Sequence, residues 1–206
     1  TENGKTFYRA VDGLTLHIEK GEIFGLLGAN GAGKTTTLRL LATMLRPTAG
    51  SAEIAGFDIV DQSESVRKSI GILFGGDTGL YDRLTARENI AYFGRLYDMT
   101  EEQIAARTEE LCEIFDLTRY IDARCGTFSR GMKQKTAFAR SIIHSPQVML
   151  FDEPTAGLDI SAALEVQHFI SACKQEGKTV ILSSHNMTEV ERLCDRIGII
   201  DHGKLL

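Results

Sequence analysis

The sequence predicts an α/β fold built on a mainly parallel sheet with helices on both faces. Three observations carry that expectation. Short apolar runs alternate with helical patterns along the chain; a glycine-rich loop stands between one such run and the helix after it; and 206 residues suffice for one large domain with its own core. Hydrophobic residues make up 43% and charged residues 25%, the balance of an ordinary globular protein.

Leu14, Leu16 and Ile18 alternate with Thr15, His17 and Glu19, which predicts a half-buried strand. Residues 22–27 read as a buried strand running into the glycine-rich turn. Residues 35–45 read as a helix stopped by Pro47. Residues 52–55 and 70–74 are short strand candidates. In the middle of the chain, Thr85-Ala86-Arg87-Glu88 and Thr100-Glu101-Glu102-Gln103 are capping boxes. After the second, Ile104, Thr108, Leu111 and Phe115 fall at helical spacing. The stretch from about 85 to 120 therefore reads as a helical lobe inserted into the α/β core. Further on, helices are expected over 129–143, 161–176 (with Gly177 as C-terminal cap) and 187–194, and strands over 148–151, 179–183 and 196–200.

A formal net charge of −5 gives no reason to expect a general nucleic-acid binder. The apolar runs are far shorter than the ~20 residues of a membrane span, and no charged-then-apolar leader opens the chain at Thr1. Cys112, Cys125, Cys173 and Cys194 are widely and irregularly spaced, without metal-ligand pairs, so they read as reduced cysteines of a cytoplasmic protein.

Gly28-Ala29-Asn30-Gly31-Ala32-Gly33-Lys34-Thr35 fits G-x-x-x-x-G-K-[ST], the P-loop or Walker A pattern. Glycines let successive N–H groups curl round a phosphate, and the following helix aims its positive end at the anion. Lys34 can reach the β- and γ-phosphates, and the Thr35 hydroxyl can serve Mg²⁺. The apolar run Val148–Phe151 ends in Asp152 and Glu153. An aspartate there suits metal binding through water, and the next carboxylate is placed to orient or deprotonate an attacking water. An acidic pair after a strand is by itself usually a solvated strand end; the P-loop upstream gives it meaning.

Two further motifs narrow the class. Phe128-Ser129-Arg130-Gly131-Met132-Lys133-Gln134 opens a helix just before the acidic strand, and it resembles the Leu-Ser-Gly-Gly-Gln signature of ATP-binding cassette (ABC) ATPases. Ser129 and Gly131 match, whereas Phe128, Arg130 and Met132 depart. Ser129 still suits an N-cap whose helix end can face a phosphate. Ser183-Ser184-His185 resembles the family's H-switch, and Ala156-Gly157-Leu158-Asp159 its D-loop.

The resemblance spans essentially the whole chain in the family's motif order. The signature and the stretch Gly79-Leu80-Tyr81-Asp82-Arg83-Leu84-Thr85 resemble those of ABC-2 exporter ATPases, and within that group the chain looks like the ATPase of sodium-extruding exporters. It implies a P-loop NTPase core with an antiparallel β portion and a helical subdomain over roughly 78–145, all in one domain over 1–206 with truncated ends. It implies that residues 28–35 and Thr36 bind ATP, that Thr35 and Asp152 serve Mg²⁺, that Glu153 and His185 are catalytic, and that Ser129, Arg130, Gly131 and Asp159 meet ATP held by another subunit. The implied partners are a second copy or a related ATPase subunit in a head-to-tail dimer, and integral membrane permeases on whose cytoplasmic side the chain sits.

Two departures stand out. Where the family carries a Q-loop glutamine this sequence has Gly75-Gly76-Asp77, leaving Asp77, a carbonyl or a water to take its place. The adenine-stacking aromatic is expected at or before Thr1, with Phe7 and Tyr8 the nearest candidates. The rival class is a soluble, non-transport ABC ATPase. Translation-type members usually carry two cassettes, and repair-type members a long coiled coil that does not fit between Lys34 and Asp152. A module that binds ATP without hydrolysing it is a third reading; Glu153 and His185 speak against it.

Overall fold

The computed structural model describes residues 8–74 and 79–206. The main sheet contains β1 (Ile23–Leu27), β4 (Ile70–Leu73), β5 (Val148–Asp152), β6 (Thr179–Ser184), β7 (Arg196–Asp201) and β8 (Lys204–Leu205). Its order is β4-β5-β6-β1-β7-β8, parallel throughout except for the β7–β8 pair. β6 lies between β1 and β5, so three strand ends that carry chemistry lie side by side at the carboxyl edge of the sheet, where open α/β sheets bind ligands.

Residues alternate between two cores along the strands. Ile23, Met149, Phe151, Val180 and Leu182 belong to one buried cluster, and Phe24, Leu26, Val148, Leu150 and Ile181 to the other. The first core is covered by α3 (Ala86–Leu96), α4 (Glu101–Phe115), α5 (Arg130–Ser141), α6 (Ile160–Gln175) and α7 (Met187–Leu193). The second lies under α1 (Lys34–Leu41) and α2 (Ser63–Ser69). Both expected capping boxes form, at Thr85/Glu88 and Thr100/Gln103. Phe138 of α5 meets Phe151 of β5 edge-on at 5.0 Å and stacks at 6.1 Å on Phe115 of α4, which joins the helices between β4 and β5 to the sheet.

Two expectations are corrected. The residues 14–18 form no ladder, although Leu14, Leu16 and Ile18 are half-buried against the second core and the residues between them are exposed. Alternation records which face is wet; a strand also needs a neighbour to pair with. The first helix ends at Leu41, short of the expected 45. Thr43 turns left-handed at φ 60°, and the Arg39 carbonyl accepts the N–H groups of both Met44 and Leu45. Three elements were not read from the residues: α2, β8, and β3 (Phe57–Asp58), which pairs antiparallel with β2 (Glu53–Ile54) and, with the β7–β8 pair, makes up the expected antiparallel portion. Ala55 and Gly56 both have positive φ, as a tight hairpin requires, but Ala-Gly is not a strong turn signal. Phe7 and the Gly75-Gly76-Asp77 segment lie outside the described residues.

Burial keeps the cysteine thiols protonated, with Cys173 and Cys194 pushed up to about 12, which fits inert reduced cysteines. His144 titrates oppositely. Its ring stacks on Tyr97 with centroids 3.6 Å apart, Nε2 donates to the Ile70 carbonyl at 3.0 Å, and Nδ1 is buried with no hydrogen-bond partner among the described residues. Burial pushes this imidazole down to about 4. The unfolded chain therefore takes up the proton first as pH falls below about 6.5, and native stability is lost from there down to about pH 4. Denaturant titrations at pH 7 and pH 5 should show the wild type losing on the order of 2 kcal/mol more than His144→Phe, which cannot take up the proton.

Candidate active site

The loop between β1 and α1 has the shape that phosphate binding asks of it. Gly33, at φ 112° just before α1, has no side chain to cap the helix, so it offers no side-chain acceptor to the first N–H groups of α1. A Cβ there would come within 2.4 Å of the Ala10 carbonyl oxygen, and one at Gly28 within 2.3 Å of the Ile200 oxygen, so both positions exclude larger residues. Ala29, Asn30 and Gly31 are exposed at the tip, Ala32 is buried, and Thr36 is half-buried in the first helical turn. The Tyr8 hydroxyl reaches the Gly31 carbonyl at 3.3 Å.

Lys34 is only 5% exposed, with Nζ donating to the carbonyls of Gly28 at 2.6 Å and Ala29 at 3.2 Å. The same Nζ lies 3.5 Å from Glu153 Oε1. Thr35 Oγ1 donates to Asp152 Oδ2 at 2.8 Å, so the hydroxyl and carboxylate meet across the gap between α1 and β5. Ser183 Oγ donates to the other oxygen, Asp152 Oδ1, and is fully buried. This pair of hard oxygen donors, close to a helix N-terminus, suits Mg²⁺, a cation that usually takes one or two protein oxygens and completes its shell from water and phosphate.

Glu153 sits at φ 50°, a left-handed conformation that costs a non-glycine residue about 1–2 kcal/mol. It is held there by its N–H, which bonds both the carbonyl and the hydroxyl of Ser183, at 3.1 and 3.2 Å. That conformation turns the side chain towards Lys34 on one side and His185 on the other, with His185 Nδ1 2.8 Å from Glu153 Oε2. P-loop lysine, metal-type oxygens, carboxylate and histidine thus form one connected set.

Ser129, Arg130, Gly131 and Asp159 lie apart from that hydrogen-bonded set. Ser129 is the N-cap of α5 and Asp159 that of α6, their side chains accepting from Met132 N at 3.3 Å and Ala162 N at 2.9 Å. Ser129, Arg130 and Asp159 are exposed, and Gly131 is half-buried. Arg130 has a contact within its own chain that its motif did not suggest. Its guanidinium donates to the Ala156 carbonyl at 3.1 Å and lies over Gly157. Gln134 likewise donates to the Pro154 carbonyl at 3.1 Å. Ser183 stands in the Ser183-Ser184-His185 motif, but its bond to Asp152 is not legible there. A hydroxyl at a strand end is an unremarkable signal, and only the β5–β6 register, which pairs it with Asp152, gives it a partner.

A phosphate-cradling loop, a hydroxyl–carboxylate pair and a strained glutamate at adjoining strand ends define a P-loop nucleotide-binding domain. The chain belongs to the ABC transporter family, whose pattern matches residues 11–156, and members of that family hydrolyse ATP. It is 49% identical over 205 residues to the ABC transporter ATP-binding protein NatA of Bacillus subtilis, covering 100% of this chain and 83% of that protein. It is 39% identical to a daunorubicin resistance ATP-binding protein of Streptomyces coeruleorubidus and 41% identical to the Nod factor export ATP-binding protein I of a Rhizobium species. Those matches take in 96% and 95% of this chain, which spans 62% and 64% of the two relatives. A dimeric ATP-binding cassette in a post-hydrolysis state, bound to ADP and Pi, superposes with a TM-score of 0.89 at 26% identity, covering 100% of this chain and 92% of that one. No helix among the described residues is long and apolar enough to cross a membrane.

Proposed function

We propose that this chain is the Mg²⁺-dependent ATP-hydrolysing subunit of an ABC-2 type exporter. It forms one domain with a helical lobe over roughly 78–145, and works on the cytoplasmic face of the membrane beside separate permease subunits. The observation that supports this most is the connected set of Lys34, Thr35, Asp152, Glu153 and His185 at the carboxyl edge of the sheet. Two of the relatives, one named for daunorubicin resistance and one for Nod factor export, support the transport reading.

In this reading the N–H groups of residues 28–36 and the α1 dipole hold the phosphates, and Lys34 turns from its own loop carbonyls to the β- and γ-oxygens. Mg²⁺ would be held by Thr35 and, through water, by Asp152, and would supply charge neutralisation on the transferring phosphoryl group. Glu153 orients the attacking water and accepts its proton. His185, already hydrogen-bonded to Glu153, contacts the γ-phosphate and keeps the carboxylate in place. Ser129, Arg130, Gly131 and Asp159 form an exposed surface that meets the ATP of a second subunit, a copy or a relative, in a head-to-tail dimer with two-fold symmetry. The dimeric cassette with the same fold supports that arrangement. Arg130 would have to leave the Ala156 carbonyl to reach that nucleotide.

Sodium is the proposed cargo, on the resemblance of the chain to the ATPases of sodium-extruding exporters. Inside-out vesicles carrying the full complex should take up sodium when ATP is added. ATP hydrolysis without sodium movement would leave the exporter reading with another cargo, and absence of hydrolysis would remove the reading itself.

A further inference from the structure

Glu189 is a buried carboxylate with no role in the phosphate, metal or water contacts proposed above. It lies in the first turn of α7 and is 5% exposed. Both its oxygens are taken by hydroxyls from two other segments. Thr155 Oγ1 donates to Oε1 at 2.5 Å, and Ser184 Oγ donates to Oε2 at 2.7 Å. The Ser184 hydroxyl in turn accepts the Asn186 N–H at 3.0 Å, and the Asn186 side chain accepts the Glu189 N–H at 3.4 Å.

Thr155 follows Glu153 by two residues, and Ser184 immediately precedes His185. The carboxylate therefore bridges the segments that carry the two members of the Glu153–His185 pair. A carboxylate withdrawn from water persists only if its oxygens are hydrogen-bonded, so the bridge fixes the spacing of those segments. That spacing needs fixing. Glu153 stands in a strained left-handed conformation, held only where its surroundings over-determine it, and His185, with its side chain 60% exposed, has little packing of its own.

We propose that Glu189 is a positioning residue for ATP hydrolysis, which by bridging Thr155 and Ser184 holds Glu153 and His185 at hydrogen-bonding distance. The proposal rests on Glu153 being the group that orients water. It requires the effect of Glu189 to pass through Glu153, whereas a residue that only stabilises the fold would act independently of it.

The test compares Thr155→Val, Glu189→Gln and Glu189→Ala, each alone and in a Glu153→Gln background, by single-turnover ATP hydrolysis and fluorescent-nucleotide titration. Thr155→Val keeps the side chain's shape and removes one hydroxyl, so it covers the case in which Glu189→Ala fails to fold. Thr155→Val should lower the hydrolysis rate about tenfold, the scale set by a misplacement of under 1 Å, with nucleotide affinity unchanged within about twofold. Glu189→Gln, which keeps one acceptor, should fall between wild type and Glu189→Ala. In the Glu153→Gln background none of the three should add a further loss. A multiplied loss in that background, weakened nucleotide binding, or wild-type rates in Thr155→Val and Glu189→Gln would overturn the proposal. Full turnover by Glu153→Gln alone would instead defeat the underlying assignment of Glu153.

Discussion

Glu153→Gln should lower ATP hydrolysis by roughly 10²–10⁴-fold, the usual worth of a positioned general base, or about 3–5 kcal/mol of barrier. The amide keeps the size of the carboxylate but cannot take the proton from water. The backbone bonds from Glu153 N–H to Ser183 do not involve the side chain, so the local fold should survive. Lys34, Thr35 and Asp152 are untouched, so ATP binding should survive as well. With hydrolysis blocked, ATP should hold the closed dimer together, and gel filtration with ATP and Mg²⁺ should move the variant towards dimer while wild type stays mostly monomeric. Normal turnover would pass the role to His185 or Asp77. Lost turnover without ATP-dependent dimers would keep the chemistry and remove the closing cycle.

Lys34→Ala should weaken nucleotide binding on the order of a hundredfold. In the proposed role the ammonium would supply charge-assisted hydrogen bonds to the β- and γ-phosphates, each worth about 1.5–3 kcal/mol, and tenfold in affinity is about 1.4 kcal/mol. In the structure that ammonium is buried on the carbonyls of Gly28 and Ala29 and beside Glu153, so its removal also leaves Glu153 Oε1 without its cation. Fluorescent-nucleotide titration reads the loss. Unchanged affinity would remove the assignment of residues 28–35 as the phosphate cradle.

Both predictions concern residues that are legible in the sequence because their spacing is local. Eight consecutive residues make the phosphate loop, and a run of four apolar residues followed by Asp152 and Glu153 makes a buried strand with its carboxylates at the end. The same holds for the two capping boxes, each complete within four residues. The reading failed where a feature depended on something distant. Leu14, Leu16 and Ile18 have the alternation of a strand and the burial of one, yet no ladder forms there.

The residues that hold the site in shape were equally hidden. Ser183 meets Asp152 because β6 pairs with β5 in one register, and a shift of one residue would turn it to the other face. Glu189 meets Thr155 from 34 positions away in the chain, and Arg130 finds the Ala156 carbonyl from 26. No motif surrounds Glu189, and the signature motif that contains Arg130 gives no sign of its contact with Ala156. The amino-acid sequence by itself determined the class of protein, the phosphate loop and the pair of carboxylates, since backbone conformation and residue chemistry within a few positions suffice for those. The tertiary structure alone decided which groups orient that chemistry, because hydrogen-bond partners of buried hydroxyls and carboxylates are chosen by strand order and register, and these arise only when distant segments pack.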